Sequence, residues 1–134
     1  MNAEKYNMEG YADPTPYEAM RSRHGFRPIV YVCSPYSGDV ERNTEDARRY
    51  CRYVLERGGI PYAPHLLFPQ FMDDDDPEER SLALFCGSAM MSKCSEVWVF
   101  GDRISKGMQA EINHAARRYF PIRYITDDEL EVAH

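Results

Sequence analysis

The chain has 134 residues, 43% hydrophobic and 28% charged, which suits one globular domain with its own core. A formal net charge of −6 without a basic stripe argues against a nucleic-acid polymer as partner. No apolar run approaches the roughly 18 residues that a membrane-spanning helix needs. The N-terminus also lacks the apolar core of a secretion signal. We therefore expect a cytoplasmic protein without a membrane partner.

The four cysteines form no C-x-x-C pair and have no zinc-like spacing with the four histidines. Reduced thiols and no metal or other cofactor are the expectation.

Residues 1–27 combine glycine, proline, tyrosine and charged residues without a clear period. A turn is predicted at Asp13–Pro16 and a short helix at Tyr17–Arg23. We interpret this segment as an N-terminal extension, more consistent with a loose tail than with a segment packed on a neighbour. Residues 28–134 are predicted to form a single α/β domain.

The first unit of that domain is a strand, a loop and a helix. Pro28–Cys33 is apolar and β-branched, as in a central strand, and Ser34–Asp39 is a loop of small and turn-forming residues. A helix follows to about Arg57, with Asn43 and Thr44 as capping candidates. Its apolar face would carry Ala47, Tyr50, Cys51, Val54 and Leu55. The loop is a candidate ligand site, but without G-x-G-x-x-G spacing a structural turn explains it nearly as well.

The second unit begins with the short strand Ile60–Ala63, whose proline suits an edge or a strand start. His65 follows that strand and is a candidate for a pocket wall, although a lone histidine is more often structural. The run Asp73–Asp76 suggests magnesium, yet Asp76-Pro77-Glu78-Glu79 is typical of a helix start and explains the acids better. The helix is predicted to reach about Lys93, with Leu82, Phe85, Ala89 and Met90 in the core.

The third unit holds the most informative pattern. Val97–Phe100 reads as a buried strand, Gly101-Asp102 as a sharp turn, and Ser105 as the N-cap of a helix. Glu111 lies two turns into this helix and is placed to face a cleft. The apolar face would carry Ile112, Ala115, Ala116 and Tyr119.

A last strand, Ile122–Ile125, and a short acidic helix from Thr126 complete the chain. Strands alternating with helices predict a single-domain three-layer α/β sandwich with a mostly parallel sheet, flavodoxin-like or Rossmann-like. Four strands are readable, and a fifth would lie in Pro64–Met72 or in the tail. Ligands of such sheets bind beyond the carboxyl ends of the strands.

Three segments resemble the nucleoside 2-deoxyribosyltransferase superfamily: Y-V-C-S-P-Y-S-G at Tyr31–Gly38, G-G-x-P-x-A-P-H at Gly58–His65, and V-W-V-F-G-x-x-I-S-x-G-M-x-x-E-I-x-x-A at Val97–Ala115. The resemblance covers roughly residues 29–125. More narrowly, the three segments resemble small bacterial and phage members of this superfamily, which also contains the 2′-deoxynucleoside 5′-phosphate N-hydrolases. It implies a homo-oligomer that acts on a nucleoside or nucleotide, because neighbouring subunits complete the pockets of that superfamily.

The resemblance implies that Glu111 is the nucleophile that attacks C1′ of the sugar and that Tyr31 orients it. An exposed helix glutamate is the commoner alternative for Glu111. Ser105 stands where the transferases of free nucleosides carry an acid, and a serine there fits a 5′-phosphate. The amides of Gly107 and Met108 and the charge of Lys106 would assist it.

The remaining site residues are also implied by the resemblance. Ser34, Tyr36 and Gly38 would line the sugar and phosphate side, with Tyr36 equally consistent with packing. Gly101 would help to shape the site, and His65 and Met108 would lie towards the base.

One departure concerns the leaving base. Where active members carry a proton-donating aspartate, the nearest places here hold Gly87 and Ser88. Three explanations stay open: Asp102 or His65 substitutes, a partner subunit supplies the group, or the protein binds a nucleotide without cleaving it.

Overall fold

A computed structural model describes residue 16 and residues 23–132 of the chain. The predicted turn at Asp13–Pro16 and the predicted helix at Tyr17–Arg23 lie, apart from Pro16 and Arg23, outside these residues. The division into an extension and a domain therefore stays a prediction.

Four parallel strands form one sheet in the order β2-β1-β3-β4. Their bounds are Ile29–Cys33 for β1, Ile60–Tyr62 for β2, Glu96–Phe100 for β3 and Ile122–Ile125 for β4. The two central strands are buried over four consecutive residues each, as expected for a parallel sheet covered on both faces. The predicted parallel α/β fold is confirmed, and β2 with its proline lies at an edge.

Helices cover both faces of the sheet. Their bounds are Val40–Glu56 for α1, Pro64–Leu67 for α2, Pro77–Met91 for α3, Lys106–Arg117 for α4 and Asp127–Val132 for α5. A 3₁₀ turn at Phe68–Gln70 follows α2. The segment Pro64–Met72 is therefore not a fifth strand, and within residues 23–132 the sheet has four strands.

Side chains alternate along β1 between two hydrophobic cores. Val30 and Val32 join the core beneath α1 and α5, whereas Tyr31 and Cys33 join the core beneath α3 and α4. The predicted three-layer sandwich follows from this alternation. It also fixes which β1 side chains can reach α4.

The predicted start of α1 is wrong. The helix begins at Val40, because Gly38 takes a φ of 98° and Asp39 then caps the first turn, accepting from the Arg42 amide at 3.2 Å. Asn43 instead donates to the carbonyls of Tyr36 and Ser37 at 3.0 and 3.1 Å, which ties the loop to the helix.

The apolar faces of three helices differ from the prediction. Along α3, Leu82, Phe85, Ala89 and Met90 are exposed, and Gly87 and Met91 are the buried residues. In α4, Ile112 and Ala115 are buried as predicted, but Ala116 is exposed. Tyr119 is 93% exposed at a φ of 60°, because the helix has ended at Arg117. Along α1, Tyr53 is buried in place of Leu55.

Across residues 23–132, no helix is both long enough and apolar enough to cross a bilayer.

Candidate functional site

A cavity of about 490 Å³ opens at the carboxyl end of β1, between α2, α3 and α4. After β1 the chain continues to β2 on one side of the sheet, and after β3 it continues to β4 on the other side. Ligand crevices of open α/β sheets form between two such strands. Eight of the predicted site residues line this cavity: Tyr31, Ser34, Tyr36, His65, Ser105, Gly107, Met108 and Glu111.

Glu111 lines the cavity from α4, and its carboxylate contacts two residues of β1. One carboxylate oxygen accepts a hydrogen bond from the Tyr31 hydroxyl, and the other lies 3.7 Å from the Cys33 sulfur. Burial raises the pKa of Glu111 to about 7, although the hydrogen bonds from Tyr31 and Cys33 act to lower it. Near neutral pH the carboxyl group therefore exists in both its protonated and its ionised form.

Tyr31 and Cys33 keep their protons. Burial, together with the negative charge of Glu111, raises the pKa of the phenol and of the thiol far above neutral pH. Both groups therefore act as donors to the carboxylate. Cys33 was not predicted as a site residue, although its position two residues after Tyr31 puts it on the same face of the strand.

His65, Ser34 and Tyr36 form one wall of the cavity. The Ser34 hydroxyl and His65 Nε2 share a hydrogen bond of 2.9 Å, and the rings of Tyr36 and His65 have centroids 5.9 Å apart. Burial lowers the pKa of His65 to about 4, so the imidazole is neutral at pH 7. Tyr36 is thus in packing contact with His65 in this structure.

Ser105 caps α4 and borders the same cavity. Its hydroxyl accepts a hydrogen bond from the Met108 amide at 3.2 Å. The predicted N-cap is confirmed, but the Met108 amide is not free for a ligand as expected, because Ser105 already uses it. The amides of Lys106 and Gly107 belong to the first turn, where no preceding carbonyl can accept their hydrogen bonds within the helix.

Three predicted site residues do not line the cavity. Asp102 is exposed and lies beside Asp127, whose amide donates to its carboxylate at 3.5 Å. Gly38 and Gly101 have φ angles of 98° and 93°, and they shape the turns after β1 and β3. The structure therefore separates Asp102 from Glu111.

Several cavity residues were not predicted as part of the site. His114 and Arg117 follow Glu111 at helical spacing on α4, and Arg80 and Leu84 approach from α3. The spacing of 111, 114 and 117 was visible in the sequence, whereas the approach of α3 was not.

Gly87 and Ser88, where the resemblance expects an acid, also line the cavity. A Cβ atom added at Gly87 would lie 3.7 Å from the Tyr31 hydroxyl oxygen and 3.8 Å from the Pro64 ring. Residue 87 therefore faces the partner of Glu111.

Comparison with known proteins gives a family and a related fold. The family described as Domain of unknown function (DUF7768) matches residues 28–125. No curated protein matches the sequence. The solved structure of a 2-deoxyribosyltransferase from the psychrotolerant bacterium Bacillus psychrosaccharolyticus is similar, with a TM-score of 0.62 and 12% identity over 73% of this chain and 72% of that one. The chain therefore belongs to the DUF7768 family, and its fold is similar to that of this 2-deoxyribosyltransferase.

Proposed function

We propose that the protein cleaves the N-glycosidic bond of a nucleoside 5′-monophosphate, as a hydrolase or a deoxyribosyltransferase, with Glu111 as the nucleophile. One observation carries the proposal. The partly buried carboxylate of Glu111 faces a cavity and accepts hydrogen bonds from Tyr31 and Cys33 of β1. The likeness in fold to a 2-deoxyribosyltransferase supports the same class of chemistry. The relation to nucleotide N-hydrolases is part of the proposal and rests on the sequence motifs.

Cleavage of an N-glycosidic bond builds positive charge on the sugar at C1′. A carboxylate beneath C1′ stabilises that charge and can trap the sugar as a glycosyl ester. Tyr31 fixes the carboxylate by a hydrogen bond, which reduces its freedom to rotate away from the sugar. Water or a second base then takes the sugar, giving a hydrolase or a transferase.

The tip of α4 is the proposed site of the 5′-phosphate. Ser105 and Gly107 line the cavity, and the first-turn amides and the helix dipole favour an anion. Lys106 adds a positive charge at the same end. The Ser105 hydroxyl is both the helix cap and a neighbour of the phosphate in this proposal.

Replacement of Ser105 tests the phosphate site. Asp is as good an N-cap as Ser, so Ser105→Asp is expected to fold normally while its charge repels a phosphate. We expect KM for a deoxynucleoside 5′-monophosphate to rise at least about tenfold, which corresponds to about 1.4 kcal/mol. Steady-state kinetics with the matched nucleoside, which lacks the phosphate, is the control. Ser105→Asn provides a neutral cap, and an equal rise in KM for Asn and Asp would refute an electrostatic role.

A second function, nucleotide binding without cleavage, is favoured by one specific observation. The cavity holds Gly87 and Ser88 where the resemblance expects a proton donor, and Asp102 lies outside the cavity. His65 lines the cavity, but its lowered pKa leaves it uncharged at pH 7. Chromatography of deoxynucleotides incubated with the protein distinguishes the two functions. Free base supports cleavage, whereas thermal stabilisation by a nucleotide without free base supports binding alone.

We also propose that the chain forms a homo-oligomer through α3. One side of this helix lines the cavity, and the other exposes Leu82, Phe85 and Met90, with 53%, 69% and 44% of their surfaces accessible. Exposed apolar side chains this close together are typical of an interface.

Phe85→Glu tests the assembly, because a charge at the centre of an apolar interface is costly to bury. Light scattering after size exclusion is expected to show wild type as a dimer or larger and Phe85→Glu as a monomer. Glu131→Gln, an exposed change on α5, serves as the control. A wild-type protein that is monomeric at high micromolar concentration would contradict the proposal.

A further inference from the structure

We propose that His114 contacts the leaving base through Nε2 and stabilises the negative charge that the base acquires as it departs. This inference rests on the proposed function and assigns the group that faces the base within the same cavity.

His114 lies one helical turn after Glu111 on α4, and both side chains line the cavity. Its Nε2 atom is buried and has no hydrogen-bond partner within residues 23–132. The other cavity histidine, His65, differs because Ser34 satisfies its Nε2. A buried polar atom without a partner costs roughly 1–3 kcal/mol. A bound ligand that pairs with His114 would remove this cost.

The order of groups along α4 identifies which part of the ligand His114 meets. The proposed phosphate site is at Ser105, and Glu111 follows about 9 Å further along the helix at a rise of 1.5 Å per residue. With C1′ beside Glu111 and the phosphate at the helix tip, the base extends the other way along α4. This direction places the base away from Met108, in contrast to the expectation from the resemblance. His114 is the next cavity residue in that direction, about 4.5 Å beyond Glu111.

Two positions on the α3 side of the cavity carry small residues. Gly87 and Ser88 both line the cavity that His114 lines. Burial and the charges of Arg118 and Arg117 lower the pKa of His114, which favours the neutral imidazole with its one N–H. In this proposal Nε2 carries that hydrogen, because Nε2 is the buried atom without a partner. It therefore acts as a hydrogen-bond donor rather than as the source of a complete proton transfer.

The covalent route passes through a glycosyl ester of Glu111. A lone pair of the ionised Glu111 carboxylate forms the bond to C1′, and the electron pair of the C1′–N bond leaves with the base. The Nε2–H of His114 donates to a nitrogen or oxygen of the departing base, which then takes a proton from water in the open cavity. Water next attacks C1′, the carboxylate leaves, and the proton released neutralises the hydroxide formed earlier.

A pair of substrates with different leaving groups tests this role. One is a deoxynucleoside 5′-monophosphate that the wild-type protein cleaves. The other is the 5-phosphate of 4-nitrophenyl 2-deoxyriboside, whose nitrophenolate leaves without assistance. Loss of one hydrogen-bond donor at developing charge typically costs about 10²–10³ in kcat. We expect His114→Ala to slow base release by roughly 10²-fold. Nitrophenolate release by the same variant is expected to slow by no more than about tenfold.

His114→Asn keeps an N–H donor and is expected to recover at least about tenfold of the base-release rate lost in His114→Ala. If the alanine variant does not fold, as judged by thermal unfolding, His114→Phe replaces it, because Phe keeps a planar ring but has no donor. Equal losses of both products in a folded variant, or no loss of either, overturn the role of His114. A wild-type protein that releases neither product refutes the proposed cleavage and this inference with it. Normal wild-type cleavage with an unaffected His114→Ala refutes the inference alone.

Discussion

The Glu111→Gln variant is expected to release base from a deoxynucleoside 5′-monophosphate at least about 10³-fold more slowly than wild type, because an amide cannot form the glycosyl ester. Gln is close to Glu in size and its carbonyl can still accept from Tyr31, so the fold should be kept. The measurement is kcat by chromatography of the free base. Glu131→Gln, an exposed change of the same kind on α5, is the matched control and should equal wild type.

The pH dependence of the wild-type rate provides an independent check on the same residue. Only the ionised carboxylate is a nucleophile, and the pKa of Glu111 is raised to about 7 by burial. The rate is therefore expected to rise with pH and to level off above about pH 7. Equal activity of Glu111→Gln and wild type at pH 8 would exclude Glu111 as the nucleophile, whatever the shape of the profile.

Glu111→Gln is also expected to make the protein more stable at pH 8, by roughly 1–3 kcal/mol. The pKa of Glu111 is about 7 in the folded chain, against an ordinary value of 4.5. Between these pH values the folded state keeps a proton that the unfolded state has lost. The free energy of unfolding contributed by this group therefore falls as pH rises from about 4.5 to about 7, and it stays low above that.

Urea unfolding of both proteins at pH 4, 6 and 8 measures this effect. The two free energies of unfolding should be similar at pH 4, where Glu111 is protonated in both states, and should diverge in favour of Glu111→Gln by pH 8. A difference that is the same at all three pH values would indicate a packing effect of the substitution. Such a result would contradict a buried carboxylate that is costly to ionise.

Local sequence signals predicted the elements that hold the site. Ser105 was identifiable as a helix cap because an N-cap is decided by a few neighbouring residues, and the apolar runs of β1 and β3 were readable for the same reason. The start of α1 was misjudged because two caps competed. Asp39 is the N-cap in the structure, because Gly38 before it adopts a positive φ.

Contacts between residues far apart in the chain could not be predicted from the sequence pattern. The bond between Tyr31 and Glu111 joins residues 80 positions apart, and only the resemblance linked them in the sequence. Cys33 was missed because a cysteine in an apolar strand gives no sign that its thiol reaches a carboxylate. The exposure of Phe85 and Leu82 was missed because their spacing is that of a core face, and only packing shows which side of α3 meets the sheet.

The glycine at position 87 leaves space beside the hydroxyl group that holds Glu111. A Cβ atom added at this position would be in ordinary van der Waals contact with Tyr31 and Pro64, so the backbone accepts a side chain there without moving. A single substitution can thus bring a second carboxyl group beside the first. Under the proposed function, Gly87→Asp would therefore introduce a candidate proton donor by one substitution.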